Sequence, residues 1–254
     1  SFQKLRNRKI SKMAFRMRQG FMAKAMRHSG ITRPSLVKQT CARRFLNLHE
    51  YHSKELLRRH GVRVQNGILA KTAAEAKEAA LQLRKNGARD LVVKSQVLAG
   101  GRGKGHFNTG FKGGVKVCDT PEEVEEMAGQ MLGNYLITNQ TDSKGQLVTS
   151  VLVHEGVDFD NEYYLAFLLE RAYDGPCIVG SPMGGMEIEE VAEEFPDKIK
   201  TIPIDMKEGL TVAQAKEMAE FVGSGSHRVD DAVEQMQGLY NLFVKNDCLQ
   251  VEIN

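Results

Sequence analysis

Apolar and polar positions alternate along the chain in patterns that predict helices and strands in mixed order. The nearly continuous apolar run over 90–98 is typical of a buried strand. Thr72 and Thr120 each stand three residues before a glutamate and ahead of a helical pattern, which indicates a capped helix start. Asn47 followed by Glu50 predicts a similar capping box at the start of the first helix.

Three later apolar runs, over 147–155, 162–171 and 176–183, are separated by turn residues. Consecutive strands joined by turns predict an antiparallel portion of sheet. Because helices and strands are intermixed with both crossover and hairpin spacing, we expect an α+β fold of two lobes. The remaining chain shows three helical patterns and a final strand, over 187–195, 212–222, 229–246 and 248–253.

Charge changes the picture at the amino terminus. The first 49 residues contain 13 Lys and Arg and no Asp or Glu, whereas the rest of the chain has 22 basic and 32 acidic residues. An acid-free, arginine-rich leader before an acidic body is typical of a mitochondrial transit peptide. We therefore interpret residues 1–45 as a leader and 46–254 as the globular part. The alternative is a nucleic-acid-binding basic tail, which the admixture of Met, Phe and Ala disfavours.

Composition excludes several other classes of protein. No apolar run approaches the roughly 18–20 residues that a membrane-spanning helix needs, so we expect no membrane partner. The four cysteines are far apart and form no CxxC or Cys/His ligand spacing. They are interpreted as thiols of a reducing compartment, without a disulfide framework or a zinc site.

The most informative stretch runs from Val92 to Gly105. It is not a Walker loop, because Lys104 is followed by glycine, and it lacks the third glycine and the directly following helix of a dinucleotide loop. What remains is Lys94 inside a strand, followed by a glycine-rich loop that contains Arg102. Glycine amides can approach phosphate oxygens closely, and a buried lysine is costly unless it meets an anion. We interpret the stretch as a phosphate site; a basic surface loop is the alternative.

Two further stretches suggest ligand contacts more weakly. The apolar run that ends at His154 and Glu155 resembles a hinge between lobes, where Glu155 and Glu162 could face one cleft, although the local pattern by itself favours solvated strand ends for both. At the end of the chain, Glu252 and Asn254 lie two residues apart in a predicted strand and therefore share a face. A carboxylate and an amide oxygen side by side suit Mg²⁺.

Taken in order, these stretches resemble the β subunit of succinyl-CoA synthetase, a family with the ATP-grasp fold. The likeness covers the chain from Leu46 to Asn254, and five ordered motifs are far more specific than any one of them. The motifs are Leu46-Asn47-Leu48-His49-Glu50-Tyr51, the stretch from Val92-Val93-Lys94 to Gly101-Arg102-Gly103-Lys104, Gln140-Thr141-Asp142 with Val151-Leu152-Val153, Gly184-Gly185-Met186-Glu187-Ile188-Glu189, and Val251-Glu252-Ile253-Asn254.

The resemblance implies an ATP-grasp fold of two α+β lobes that binds ATP or ADP and Mg²⁺. No catalytic residue is implied in this chain, because the family's phosphoacceptor histidine belongs to the partner α subunit. The position after Val153 is His154, where some members have the hinge carboxylate, so Glu155 is the candidate for that role. The implied ligand contacts are Lys94 on the phosphates, Gly101, Arg102 and Gly103 along the nucleotide, Glu155 and Glu162 near the ribose, base and hinge, and Asn254 on magnesium.

The implied activity is phosphoryl transfer between ADP or ATP and the α-subunit histidine, coupled to interconversion of succinyl-CoA and succinate. The implied setting is the citric acid cycle in the mitochondrial matrix, with succinate and CoA bound at the level of the complex. Residues 106–111 and 162–166 look most like the eukaryotic ADP-forming type. The alternatives are a malate- or citrate-linked ligase of the same fold and a fragment that only docks on the α subunit.

The chain also departs from the family. It stops directly after the first magnesium ligand, before the strand with the family's aspartate ligand and before its carboxy-terminal flavodoxin-like CoA-ligase domain. We therefore expect an incomplete product that cannot perform the full reaction alone.

Overall fold

The computed structural model describes residues 47–186, 188–225 and 227–253. The predicted leader over 1–45 and the predicted magnesium ligand Asn254 lie outside the described residues. Within them, the chain forms two four-stranded sheets and a smaller three-stranded sheet, and all strand pairs are antiparallel.

The elements alternate between helix and strand along the chain. The helices are α1 (Glu50–Arg59), α2 (Ala73–Lys85), α3 (Pro121–Met131), α4 (Ile188–Glu194), α5 (Val212–Val222) and α6 (Val229–Lys245). The strands are β1 (Gly67–Ala70), β2 (Leu91–Ser95), β3 (His106–Phe107), β4 (Val115–Cys118), β5 (Tyr135–Ile137), β6 (Gln146–Leu147), β7 (Val151–Glu155), β8 (Tyr164–Glu170), β9 (Gly175–Ser181), β10 (Lys200–Pro203) and β11 (Gln250–Ile253). Short 3₁₀ turns cover Arg102–Lys104, Arg171–Tyr173 and Pro196–Lys198.

The first lobe is built on the sheet β1-β7-β2-β4. Alternation along β2 buries Leu91 and Val93 in a core that also contains residues of α2 and α3. Lys94 therefore points to the opposite face, next to Leu152 of β7, and His154 lies two residues further along that face. One face of this sheet is apolar and covered by helices, and the other carries polar groups.

The second lobe is built on the sheet β10-β9-β8-β11, with residues of α5 and α6 in its core. Phe167 of β8 is fully buried there, and Val251 and Ile253 of β11 pack against the same core. Gln250 and Glu252 are exposed on the other face. The predicted alternation along the last strand is therefore confirmed for the described residues.

Helix α1 joins the two lobes, although it precedes the first lobe in sequence. Leu57 in its last turn and Val62 just after it belong to the core of the second lobe. Its first turn lies against the first lobe, where the Tyr51 amide donates to Gln96 Oε1 at 3.2 Å. Helix α1 thus contacts both lobes before the chain forms β1 of the first lobe.

Several details differ from the sequence predictions. The predicted capping box at Asn47 does not form: the residue before α1 is His49, with no side-chain cap bond, and the Glu50 carboxylate is bound to cations instead. The runs that end at Glu155 and begin at Glu162 lie in different sheets, because the segment between them connects the lobes. The caps at Thr72 and Thr120 are confirmed, with each hydroxyl accepting an amide three residues later.

Candidate nucleotide-phosphate site

Lys94 and Arg102 meet at the polar face of the first sheet, and one carboxylate holds both. Glu50 Oε1 lies 3.3 Å from Lys94 Nζ, and Glu50 Oε2 lies 2.9 Å from an Arg102 Nη atom. The other Nη of Arg102 donates to the Ser95 carbonyl at 2.9 Å. A third cation, Lys54, lies 3.7 Å from Glu50 Oε1. The cluster has three positive charges and one negative charge, so it remains attractive to an anion.

The charges of the cluster are coupled. Burial alone would raise the pKa of Glu50, but Lys94, Arg102 and Lys54 overcome that effect and hold the pKa at about 2. Burial lowers the pKa of Lys54 to about 8, against the opposing influence of Glu50. Glu50 is therefore ionised throughout the neutral range. A largely buried, ionised carboxylate such as Glu50 is stable only while its cationic partners remain beside it.

The glycine loop after β2 is shaped by close backbone contacts. Gly101 has a φ of +70°, which opens the 3₁₀ turn that carries Arg102. A Cβ on Gly105 would lie 2.7 Å from the Ile137 carbonyl oxygen, so that position must remain glycine. Gly103 has a negative φ and open space where a Cβ would stand. The fold therefore does not require glycine at 103.

His154 adds a buried neutral group to the same face of the sheet. Its Nδ1 lies 2.7 Å from the Glu155 carbonyl, so Nδ1 carries the proton and Nε2 is left without a described partner. Burial and the charges of Lys54 and Lys94 lower its pKa to about 4. An uncharged imidazole here can accept a hydrogen bond through Nε2, and it cannot act as a cation at neutral pH.

Glu155 and Glu162 are not part of the Lys94 cluster. Glu155 pairs with Leu91 at the far end of β2, about 10 Å along the strand from Lys94. Its carboxylate accepts the Asn66 amide at 2.8 Å. Glu162 precedes β8 in the second lobe, where its carbonyl accepts the Gly184 amide at 2.9 Å. The structure therefore brings Glu162 to the second glycine motif, and it leaves the predicted roles of both glutamates in ligand binding as predictions.

The polar face of the second sheet has a carboxylate and a phenol in place of cations. Tyr164 donates to Glu252 Oε2 at 3.2 Å, and burial together with Glu252 raises the pKa of Tyr164. Among the described residues, no group of three or more His, Cys, Asp or Glu side chains could hold a metal ion. The predicted magnesium ligand Asn254 lies outside the described residues.

A basic groove lies beside the glycine loop. It has a volume of about 480 Å³, and its lining includes Lys104, Lys112 and Lys116. Lys104 also lies 3.6 Å from Glu190 of α4, so the loop of the first lobe contacts the second lobe. The candidate site therefore combines a cluster of cations, a glycine loop and a contact between the two lobes.

The ATP-grasp domain family matches residues 47–254, and the chain belongs to that family. It is 50% identical over 212 residues to the mouse mitochondrial GDP-forming succinate–CoA ligase subunit β, covering 84% of this chain and 48% of that protein. It is 46% identical to the hydrogenosomal ADP-forming subunit β of Neocallimastix frontalis, covering 92% and 53%. The chain thus spans about half the length of these curated relatives. The predicted fold class and the predicted family resemblance are confirmed.

Solved structures show the same fold at low sequence identity. An acetyl-coenzyme A synthetase from Ca. Korarchaeum cryptofilum gives a TM-score of 0.56 at 20% identity, covering 82% of this chain and 84% of that chain. ATP citrate lyase from Methanothrix soehngenii gives 0.57 at 20% identity, covering 82% and 46%. Membership in the ATP-grasp family implies the use of a nucleotide and Mg²⁺ in general.

Sequence analysis did not connect Glu50 and Lys54 with Lys94, and it considered His154 only as a position of the predicted hinge. Glu50 was assigned to a helix cap because local spacing suggested that role. One signal was available: Glu50 is the first acid after a long acid-free segment. Glu50 contacts Lys94 and Arg102, which lie 44 and 52 positions further along the chain. A local sequence pattern does not reveal contacts over such separations.

Proposed function

We propose that this chain is the nucleotide-binding part of a succinate–CoA ligase subunit β. The observation that supports this most directly is the pair Lys94 and Arg102 beside a glycine loop, in a chain 45–50% identical to such subunits. The reaction would transfer a phosphoryl group between ADP or ATP and a histidine of a partner α subunit. That transfer would be coupled to the interconversion of succinyl-CoA and succinate, which makes the complex an acid–thiol ligase of the citric acid cycle.

The proposed task of this chain is to position the nucleotide and offset its charge, which is most of what phosphoryl transfer requires of a protein. Lys94 and Arg102 would bind phosphate oxygens. Gly101 and Gly103 would bring backbone close to the nucleotide, and Glu155 and Glu162 would lie near its ribose and base. When bound, the nucleotide supplies the phosphoryl group, and the residues of this chain hold it in place.

The magnesium site is proposed at the end of the chain. Asn254 would contribute an amide oxygen, and Mg²⁺ takes oxygen ligands while retaining water and phosphate in its shell. Glu252, two residues earlier on the same predicted face, is already hydrogen-bonded to Tyr164 and Gln250. Both hydrogen bonds are accepted by Oε2, so the other carboxylate oxygen could face the metal directly or through a water molecule.

The cellular setting is proposed from the relatives. Several of them are named mitochondrial, which supports a mitochondrial location here, and the matrix is proposed as the compartment. Their naming as β subunits supports an α-subunit partner. Both GDP-forming and ADP-forming relatives occur at similar identity, so the choice of ADP remains a prediction.

Calorimetry on the 254-residue chain tests the proposal. Titration with MgATP and, separately, with MgGTP should give saturable binding to one of them. Lys94→Ala should weaken that binding tenfold or more, equivalent to about 1.4 kcal/mol, because it removes a phosphate-binding charge. Lys85→Ala is the matched control, since Lys85 is exposed in the last turn of α2, and it should leave the affinity unchanged. A folded chain that binds neither nucleotide would refute the proposal.

A further inference from the structure

Glu50 is placed between the lobes in an unusual way. It lies in the first turn of α1, whose last turn packs in the core of the second lobe through Leu57. Its carboxylate nevertheless reaches the first lobe, where Lys94 extends from β2 and Arg102 from the glycine loop. One carboxylate attached to the second lobe therefore contacts both candidate phosphate-binding cations of the first.

Hydrogen bonds and ion pairs restrict the positions of the Lys94 and Arg102 side chains. Arg102 is held on both sides, by Glu50 Oε2 and by the Ser95 carbonyl, each at 2.9 Å. The side chains of Glu50, Lys94 and Arg102 are 18%, 25% and 20% exposed, so solvent screens their interactions only in part. Without the carboxylate, the two cations and Lys54 would repel one another and move apart.

The first turn of α1 is itself anchored to β2. The Gln96 side chain accepts the Tyr51 amide at 3.2 Å and donates to the Lys94 carbonyl at 3.2 Å. Gln96 is almost fully buried, which makes this bridge a fixed part of the structure. The position of Glu50 relative to Lys94 is thus set by backbone contacts as well as by charge.

We propose that Glu50 is a positioning residue of the nucleotide-phosphate site, which orients Lys94 and Arg102 from a helix that belongs to the other lobe. The inference rests on the proposed function of Lys94 and Arg102. It also predicts that the phosphate-binding cations are correctly placed only while the lobes are docked through α1. Glu50 acts through the two cations and does not itself contact the nucleotide.

If Glu50 had the opposite role, its removal would change the nucleotide affinity in the opposite direction. A carboxylate that competed with phosphate for the same cations would weaken binding, so its removal would tighten it. Orientation is favoured here because Arg102 has two fixed hydrogen-bond partners and because a neutral replacement for Glu50 would leave three neighbouring positive charges uncompensated.

The test is MgATP or MgGTP calorimetry, with whichever nucleotide the wild-type chain binds. Glu50→Gln should raise the dissociation constant about tenfold, and Glu50→Asp, which keeps the charge on a shorter side chain, should give an intermediate value. Glu55→Gln is the control from the same helix, since Glu55 is exposed and pairs with Arg59, and it should have no effect.

Action through the cations is tested in a second background. In Lys94→Ala, the further change Glu50→Gln should weaken binding much less than it does in the wild type, because one of the two oriented groups is already absent. A purely structural defect would weaken binding equally in both backgrounds. Circular dichroism and thermal unfolding establish that each variant is folded. If Glu50→Gln does not fold, Glu50→Asp takes its place, and wild-type affinity in that variant overturns the inference.

The outcomes separate the inference from the proposed function. If the wild type binds and Lys94→Ala weakens binding, but Glu50→Gln binds equally well or more tightly, the positioning role is wrong and the nucleotide site stands. If the folded wild type binds neither nucleotide, the proposed function fails and the inference fails with it.

Discussion

Each lobe is built on a four-stranded antiparallel sheet with one polar face, and the two polar faces carry opposite charges. In each lobe one face of a four-stranded antiparallel sheet packs against helices, and the other carries polar groups. In the first lobe that face presents Lys94, with Arg102 beside it, whereas in the second lobe it presents Glu252 and Tyr164. The polar faces of the two sheets therefore differ in charge: the first carries cations, and the second carries a carboxylate and a phenol.

Glu50 is the exception to this division, and it indicates how the lobes are connected. It is an acid within the cationic cluster, but its helix is packed on the acidic lobe. We therefore expect each core to stabilise its own lobe. We also expect α1 to unfold together with the second lobe, although its Glu50 acts on the candidate site of the first lobe.

The largest expected effect on stability comes from truncating a buried side chain in one core at a time. Phe167→Ala removes a fully buried ring from the second lobe and should lower the free energy of unfolding by about 3–5 kcal/mol. Phe107→Ala is the matched change in the first lobe, where Phe107 is equally buried. Hydrogen exchange should show that the amides of α1 lose protection with Phe167→Ala. Loss of α1 protection with Phe107→Ala alone would contradict the assignment of α1 to the second lobe.

The second prediction concerns acid sensitivity of the first lobe. The pKa of His154 is about 4 in the folded chain, against 6.5 as its ordinary value, so the unfolded chain binds more protons between these values. The resulting stability is present above pH 6.5 and is lost as the pH falls toward 4, by about 3 kcal/mol over the window. Glu50 contributes a further loss only below about pH 4.5.

Urea denaturation at pH 7 and at pH 4.5 measures this effect. His154→Gln cannot be protonated and should lose less stability between the two pH values than the wild type. The control is His106→Gln, because His106 is exposed and should show the wild-type pH dependence. Equal pH dependence in His154→Gln and the wild type would show that the histidine is not buried in its neutral form.

The smallest expected effect tests the direct contact between the lobes. Lys104 and Glu190 are 67% and 48% exposed, and an ion pair in solvent contributes little. Glu190→Gln should change the free energy of unfolding by less than about 0.5 kcal/mol and the nucleotide affinity by less than about twofold. A larger effect on affinity would mean that this pair, in addition to Glu50, connects the lobes.

Local chemistry in the sequence was sufficient for most individual elements. The helix starts at Thr72 and Thr120 follow from a hydroxyl and the amide three residues later, and that interaction is complete within one turn. The range Val212–Val222 was predicted with the bounds that the structure shows. The short strand β10 was not predicted, because four residues without regular alternation give little signal.

The sequence by itself determined the chemical character of the site: a lysine in an apolar strand, a glycine loop with cations, and ordered motifs that indicate the ATP-grasp family. Only the tertiary structure decided which charges meet. Whether Glu50 caps a helix or pairs with Lys94 and Arg102 depends on how α1 packs across the two lobes. Burial of the Glu50 carboxylate then favours the ion pairs. The physical reason is that caps and strand alternation depend on neighbours within a few residues, whereas the pairing of buried charges depends on contacts between distant segments.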